Sequence, residues 1–293
     1  MKTYKQFPFA ALLMIFFLSS AMSQSPTTGY ATIEGRKVYY EVKGRGPAVV
    51  LIHGFSLDTR MWDRQFDVFA RSHQVVRYDI SGYGRSTVPD TLISSSDELA
   101  TLLKSLGIHK AAVVGMSMGG GVAINFTLEH PEMVEALVTV GSTLGGYNMR
   151  EPRASRTQRV FSLARDSGLA VAKETWLHDP FLTPFVDTSA IRATIRRIIT
   201  DWSGFQLKNP AMARFLPVSP LAITRLEQIR VPTLAIVGEL DDPNPRAVAD
   251  TIAARVPGAR KVTITGSGHL LNLERPEEFN KLVLEFLGQN VKR

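Results

Sequence analysis

Ala111-Ala-Val-Val-Gly-Met-Ser-Met-Gly-Gly-Gly121 passes from a short apolar run into a serine flanked by glycines, Gly115-Met-Ser-Met-Gly119. Val122-Ala-Ile-Asn-Phe-Thr-Leu-Glu129 follows and reads as a helix. Strand, tight turn and helix in that order are the setting in which G-x-S-x-G holds a serine hydroxyl at the apex of a sharp bend. The small residues have a mechanical purpose, because strand and helix approach closely at such a bend and leave no room for bulky neighbours. The pentapeptide alone arises by chance in roughly one chain in ten of this length. Ser117 therefore needs partners elsewhere in the chain.

Upstream, Ala48-Val-Val-Leu-Ile52 is apolar throughout, as in a strand buried on both faces of a parallel sheet, and it ends on His53-Gly54-Phe55. Residues 30–34 and 37–42 read as a hairpin turning at Gly35-Arg36. Residues 60–71 have apolar side chains at 62, 66 and 69, a helical spacing. Residues 74–79 read as a strand, 94–107 as a helix with polar cap and closing glycine, and 136–141 as a strand. Downstream, the pattern predicts a strand over 233–238, a helix over 246–255, a strand over 261–265 and an amphipathic helix over 276–287. Such alternation implies a mostly parallel sheet covered on both faces. The alternation fails between 143 and 224, a stretch with six prolines, Trp176 and Trp202. The expected plan is one α/β core from residues 24–144 and 225–293, interrupted by a helical cap over 145–224.

The N-terminus differs from the rest. Met1-Lys-Thr-Tyr-Lys5 is basic, Phe9-Ala-Ala-Leu-Leu-Met-Ile-Phe-Phe-Leu18 is apolar, and Ser19-Ser-Ala-Met-Ser23 supplies small residues. Residues 1–23 are thus expected to be a secretory signal peptide, cleaved after Ala21 or Ser23 and too short for a comfortable membrane span, with a retained N-terminal anchor as the alternative. The chain has no cysteine, which excludes a thiol nucleophile and disulfides. A periplasmic or secreted bacterial enzyme fits these features. Of the formal charge of +7, the segment 145–224 contributes eleven Lys and Arg against six Asp and Glu. A solvated basic surface accounts for this, with attraction for anionic substrates as the alternative. No nucleic-acid motif, Walker loop, dinucleotide fingerprint or His-x-x-x-His pair is present, so no nucleic-acid partner, cofactor or metal is expected.

In parallel sheets the ligand site lies at the carboxyl ends of the strands. The residues after those ends form a set: Ser117, then Asp241 and Asp242, then His269 in Gly266-Ser-Gly-His269, with His53-Gly54-Phe55 alongside. A serine hydroxyl needs a base within hydrogen-bond reach to become a nucleophile, and the chain order Ser, Asp, His is one in which such a triad occurs. His73, His109, His130 and His178 lack a comparable position.

Leu51-Ile-His-Gly-Phe55, Met61-Trp62, Tyr78-Asp79-Ile-Ser-Gly-Tyr-Gly-Arg-Ser86, Gly115-Met-Ser-Met-Gly-Gly120, Gly238-Glu-Leu-Asp241 and Gly266-Ser-Gly-His269 together resemble the α/β-hydrolase superfamily. Small serine esterases, 3-oxoadipate enol-lactonases and cofactor-free perhydrolases are the most similar members. The resemblance implies an α/β-hydrolase fold: a mostly parallel eight-stranded sheet, helices on both faces, and a helical cap inserted after strand 6. It implies Ser117 as nucleophile, His269 as general base and acid, and Asp241, at the family's spacing, as its orienter in preference to Asp242. Some members place the acid after strand 6, but Gly141-Ser-Thr-Leu-Gly-Gly146 has no carboxylate. The backbone N–H groups of Phe55 and Met118 would form the oxyanion hole, with the Phe55 side chain favouring small or slender acyl groups. His53 reads as the anchor of that loop. Asp79 and Arg85 read as braces of their turn, although Ser81 stands where the family commonly has Arg. Trp62, Trp176 and Trp202 are candidate substrate contacts, with core packing as the competing explanation. Serine at 117 argues against dehalogenase and epoxide hydrolase chemistry, which use Asp there. The expected function is hydrolysis of a small-molecule ester or lactone through an acyl-enzyme on Ser117. C–C bond hydrolysis or perhydrolysis by the same triad is the alternative, and a non-catalytic binding protein is the rival from another class.

Overall fold

The computed structural model describes residues 25–185, 188–209 and 218–291; the segment read as a signal peptide lies outside them. Strands β1 (Thr27–Ile33) and β2 (Arg36–Lys43) form an antiparallel hairpin. Its bend is Glu34-Gly35, with φ of 47° and 78°, one residue earlier than the sequence suggests. Two left-handed positions match the twist of a two-residue hairpin turn, and Arg36 is then free to pair with Ile33.

Strands β3 (Ala48–Ile52), β4 (Gln74–Tyr78), β5 (Ala111–Met116), β6 (Val134–Val140), β7 (Thr233–Gly238) and β8 (Arg260–Ile264) follow. The sheet order is β1-β2-β4-β3-β5-β6-β7-β8, parallel from β4 onward, with β2 antiparallel to both its neighbours. Every residue of β3, β5 and β7 is buried. Their apolar sequences, broken only by Thr233 at the start of β7, follow from that, since helices cover both faces. The helices α1 (Asp63–Phe69), α2 (Ser95–Ser105) and α3 (Met118–Glu129) belong to the first part of the core. The Ser94 hydroxyl accepts the Asp97 N–H and caps α2 as its sequence predicts. α1 is shorter than the spacing suggests because residues 59–62 tighten into a 3-10 turn capped by Asp58.

Between β6 and β7 lie α4 (Arg153–Asp166), α5 (Leu169–Leu177), α6 (Thr188–Asp201) and α7 (Phe205–Lys208), and no strand among the described residues. α6 buries Ile191, Ile195, Ile198 and Ile199, a single stripe at helical spacing, and exposes Arg192, Arg196 and Arg197. Each buried isoleucine contributes roughly 1.5–3 kcal/mol, while the arginines place part of the segment's basic surplus in solvent. α8 (Pro243–Arg255), α9 (Leu271–Glu274) and α10 (Pro276–Asn290) complete the core. α8 starts three residues before its apolar pattern because Asp242 caps it and Pro243 occupies its first turn. No helix among the described residues is long and apolar enough to cross a membrane.

Candidate active site

β5 ends at Met116 and α3 begins at Met118, so one residue makes the bend. Ser117 does so with φ 54° and ψ −114°, a conformation costing a non-glycine residue about 1–3 kcal/mol unless its surroundings impose it. They do. Its N–H donates to the Val140 carbonyl at 2.8 Å, and its carbonyl accepts the N–H groups of Gly120 and Thr143, both at 3.0 Å. A Cβ on Gly119 would fall 2.4 Å from the Ile52 carbonyl oxygen and 2.5 Å from that of His53. The glycine spacing is therefore what lets the first turn of α3 sit against the end of β3.

His269 follows β8 and Asp241 follows β7. The His269 Nδ1 lies 2.9 Å from Asp241 Oδ2 and 3.0 Å from Oδ1, both side chains being buried. An ionised carboxylate can only accept, so Nδ1 carries the proton and Nε2 is left as the base. Asp241 Oδ1 also accepts the Asp242 N–H at 2.7 Å. Gly141, at the end of β6 with φ 50°, makes room for the pair: a Cβ there would lie 3.0 Å from Asp241 Oδ2 and 3.1 Å from His269 Nδ1. Asp242 is engaged otherwise, accepting the Asn244 N–H at 3.0 Å and pairing with Arg156 at 2.8 Å.

The two backbone N–H groups read as oxyanion donors belong to residues beside this bend. Met118 contributes the first N–H of α3, which has no partner within the helix. The Phe55 N–H belongs to the Gly54–Phe55 peptide, whose carbonyl accepts the Leu57 N–H at 3.2 Å and the His53 Nδ1–H at 2.8 Å. The Ile80 N–H donates to His53 Nε2 at 3.0 Å, which fixes the tautomer with the proton on Nδ1. Burial pushes the His53 pKa down and keeps the ring neutral. His53 thus pins a peptide plane. A Cβ on Gly54 would fall 3.5 Å from the Ser117 Cβ, so this loop and the serine share one space. Such an arrangement can perform acyl transfer: a nucleophile, an oriented base and preorganised donors for an oxyanion. No group of three or more His, Asp or Glu side chains that could hold a metal occurs among the described residues.

Residues 49–282 match the model of the alpha/beta hydrolase family. The chain belongs to that family. It is 30% identical to a 2-hydroxy-6-oxononadienedioate/2-hydroxy-6-oxononatrienedioate hydrolase of Burkholderia vietnamiensis, over 90% of this chain and 97% of the relative. Among solved structures, it superposes on a bromoperoxidase from Bacillus anthracis with a TM-score of 0.75 at 25% identity, covering 90% of this chain and 100% of the other. A thermophilic esterase from Thermogutta terrifontis gives a TM-score of 0.74 at 25% identity, covering 91% and 99%.

Two hollows adjoin the bend of this hydrolase. The smaller, about 70 Å³, is lined by Ser117, Gly141, Met149, Arg153 and Phe181 among others. The larger, about 860 Å³, is mainly apolar and includes Phe55, Met118, Phe161 and Trp176. Of the three tryptophans read as substrate contacts, Trp176 lines the larger of these two hollows. Trp62 lines neither; it is fully buried against Phe279 of α10, because the 3-10 turn before α1 points it into the core. Trp202 also lines neither, donating its indole N–H to Gln206 at 2.9 Å and packing edge-on against Phe55. The brace read for Asp79 is present: its carboxylate accepts the N–H groups of Thr59 at 2.8 Å and Arg85 at 2.9 Å.

Three further residues reach this region without a sequence signal. Phe181 sets its ring edge-on to His269, centroids 4.0 Å apart. Ser56, with φ 62°, donates to the Phe55 carbonyl at 2.5 Å and accepts the Trp176 indole N–H at 2.7 Å. Arg153 lies over the Phe181 ring, 3.5 Å from its centroid. They come from segments far apart in the chain, and no motif links them.

Proposed function

We propose that the protein is a serine hydrolase that cleaves carboxylic esters or lactones through an acyl-enzyme on Ser117. The observation that carries this reading is the buried Asp241–His269 pair, which commits Nδ1 and leaves Nε2 as base at the end of the sheet that presents Ser117 on its strained bend. The Ser117 hydroxyl attacks the carbonyl carbon and its proton passes to His269 Nε2, while Asp241 stabilises the resulting imidazolium. The developing oxyanion takes the N–H groups of Phe55 and Met118, and His269 returns the proton to the leaving alcohol. Water then repeats the sequence on the acyl-enzyme. Likeness to the esterase supports the ester reading. The Burkholderia relative supports a second reading, in which the same triad breaks a carbon–carbon bond. The pattern of residues 1–23 supports export to the periplasm or beyond.

The test is turnover of a p-nitrophenyl ester series from acetate to octanoate by the wild type and Ser117→Ala. Turnover by the wild type and a loss of about 10⁶-fold in kcat for the variant are expected. Ester hydrolysis retained in folded Ser117→Ala, or absent from the wild type while a meta-cleavage dienedioate is cleaved, overturns the ester reading.

A further inference from the structure

Arg153 is poorly placed for stability. It opens α4, the positive end of a helix dipole, where a cation is unfavourable, and no acidic residue lies in that first turn. Its side chain is only 13% exposed, and burial pulls its pKa down to about 10. Its described hydrogen bonding is a single contact of 3.4 Å from Nη1 to Asp179. That carboxylate also accepts Arg156 Nε at 3.3 Å and the Phe181 N–H at 3.0 Å. A guanidinium has five N–H donors, so most of this fork is uncommitted among the described residues.

Its surroundings give the fork a use. Arg153 lines both hollows, and in the smaller one, which also holds Ser117, it is the one charged side chain lining the wall. The larger cavity adds Arg165 and Lys208 to its lining and no carboxylate. Arg153 rests on one face of Phe181, and the same ring abuts His269. An anion on the guanidinium is therefore one aromatic ring away from the base. The smaller hollow has room for a few water-sized groups, the scale of a short acid chain, whereas the larger suits a bulky apolar group.

We infer that Arg153 selects anionic substrates: esters or lactones whose short acyl side ends in a carboxylate, held by the Arg153 fork in the smaller hollow while the apolar leaving group occupies the larger. This rests on the ester or lactone reading for the reaction itself, but the anion site can be tested apart from it. Guanidinium and carboxylate meet as a charge-assisted, two-pronged hydrogen bond, and shielding from water keeps that selectivity from being lost to salt.

The experiment compares mono-p-nitrophenyl adipate with p-nitrophenyl hexanoate, and the adipate dianion with adipamide by calorimetry, in wild type, Arg153→Gln and Arg153→Lys. The wild type is expected to favour the anionic ester at least tenfold in kcat/KM and to bind adipate over adipamide. Arg153→Gln should lose about 10- to 100-fold more on the anionic ester than on the neutral one, the range for a hydrogen bond to a charged group. Arg153→Lys, retaining the charge but not the fork, should recover part of the difference. If neither ester turns over, the ester reading fails, and adipate binding that weakens at least tenfold in Arg153→Gln still upholds the anion site. No preference for either anionic compound by the wild type overturns the inference without recourse to a variant, as do equal losses on both esters in folded Arg153→Gln.

Discussion

Around Ser117 and His269 the backbone does the positioning, whereas in α4 and α5 side chains do it. Ser117 is bent by four backbone hydrogen bonds, among them one from the Gly121 N–H to its carbonyl at 3.2 Å, and by glycines whose Cβ atoms would strike main chain. Gly141 leaves the space that the Asp241–His269 pair fills. In the insertion, the contacts toward the site run from side chain to side chain: Trp176 to Ser56, Arg153 to Asp179 and Phe181, Arg156 to Asp242. Main-chain constraints admit few substitutions, while side-chain contacts can be exchanged one at a time. The core is thus suited to keeping one chemistry, and the insertion to changing what that chemistry acts on.

The contrast predicts effects of different size. Asp241→Asn leaves the shape of the site but lets His269 take the wrong tautomer, and kcat should fall about 10⁴-fold with KM nearly unchanged. Steady-state kinetics on the preferred ester checks this, and a loss below tenfold would remove the core's claim to the chemistry. Trp176→Phe keeps an aromatic ring against Phe55 and deletes the N–H donated to Ser56 together with one ring of the indole. A net hydrogen bond of that kind is worth about 0.5–1.5 kcal/mol. Since Ser56 adjoins the peptide that presents the Phe55 N–H, the loss of that bond should appear in kcat, about threefold to tenfold, whereas the space opened in the larger hollow by the smaller ring should appear in KM. A loss as deep as that of Asp241→Asn would break the contrast, because the insertion would then be part of the chemical machinery.

The smallest effect concerns stability alone. Glu98 is buried on α2, accepting the Ser81 N–H at 3.1 Å and the Ser81 hydroxyl, and burial pushes its carboxyl pKa above the ordinary 4.5. The folded state therefore holds its proton more tightly than the unfolded chain. The resulting stabilisation is full below pH 4.5 and is lost as pH rises through the folded pKa. Glu98→Gln keeps an acceptor for the Ser81 N–H and does not titrate. Its Tm relative to wild type should rise between pH 4.5 and 8. A difference in Tm that stays constant with pH would contradict this account of Glu98.

The same contrast explains how much is legible in the sequence. The apolar runs of β3, β5 and β7 (after Thr233) announce buried parallel strands, and the residues just past the strand ends, Phe55, Ser117, Asp241 and His269, can be read because the glycine spacings mark where backbone must approach backbone. Even Asp241 and Asp242 become separable once Pro243 is seen to start a helix, since the residue before it is the natural cap. Trp62 misleads because an aromatic residue at a helical position looks the same whether its face is turned to a cavity or to α10. Arg153, Ser56 and Phe181 leave no trace because their meaning depends on segments distant in the chain: Asp179 lies 26 residues from Arg153, and Trp176 lies 120 from Ser56. The 145–224 segment reads as helical, but periodicity states only which face is buried, not what it is buried against.

The central claim is that Ser117 is the nucleophile, and fluorophosphonate labelling read by intact and peptide mass spectrometry tests it most directly. The wild type should take up one phosphonyl group, on the peptide containing Ser117, and Ser117→Ala with an unchanged Tm should take up none. A folded wild-type protein that remains unlabelled, or that is labelled at another residue, would contradict the claim.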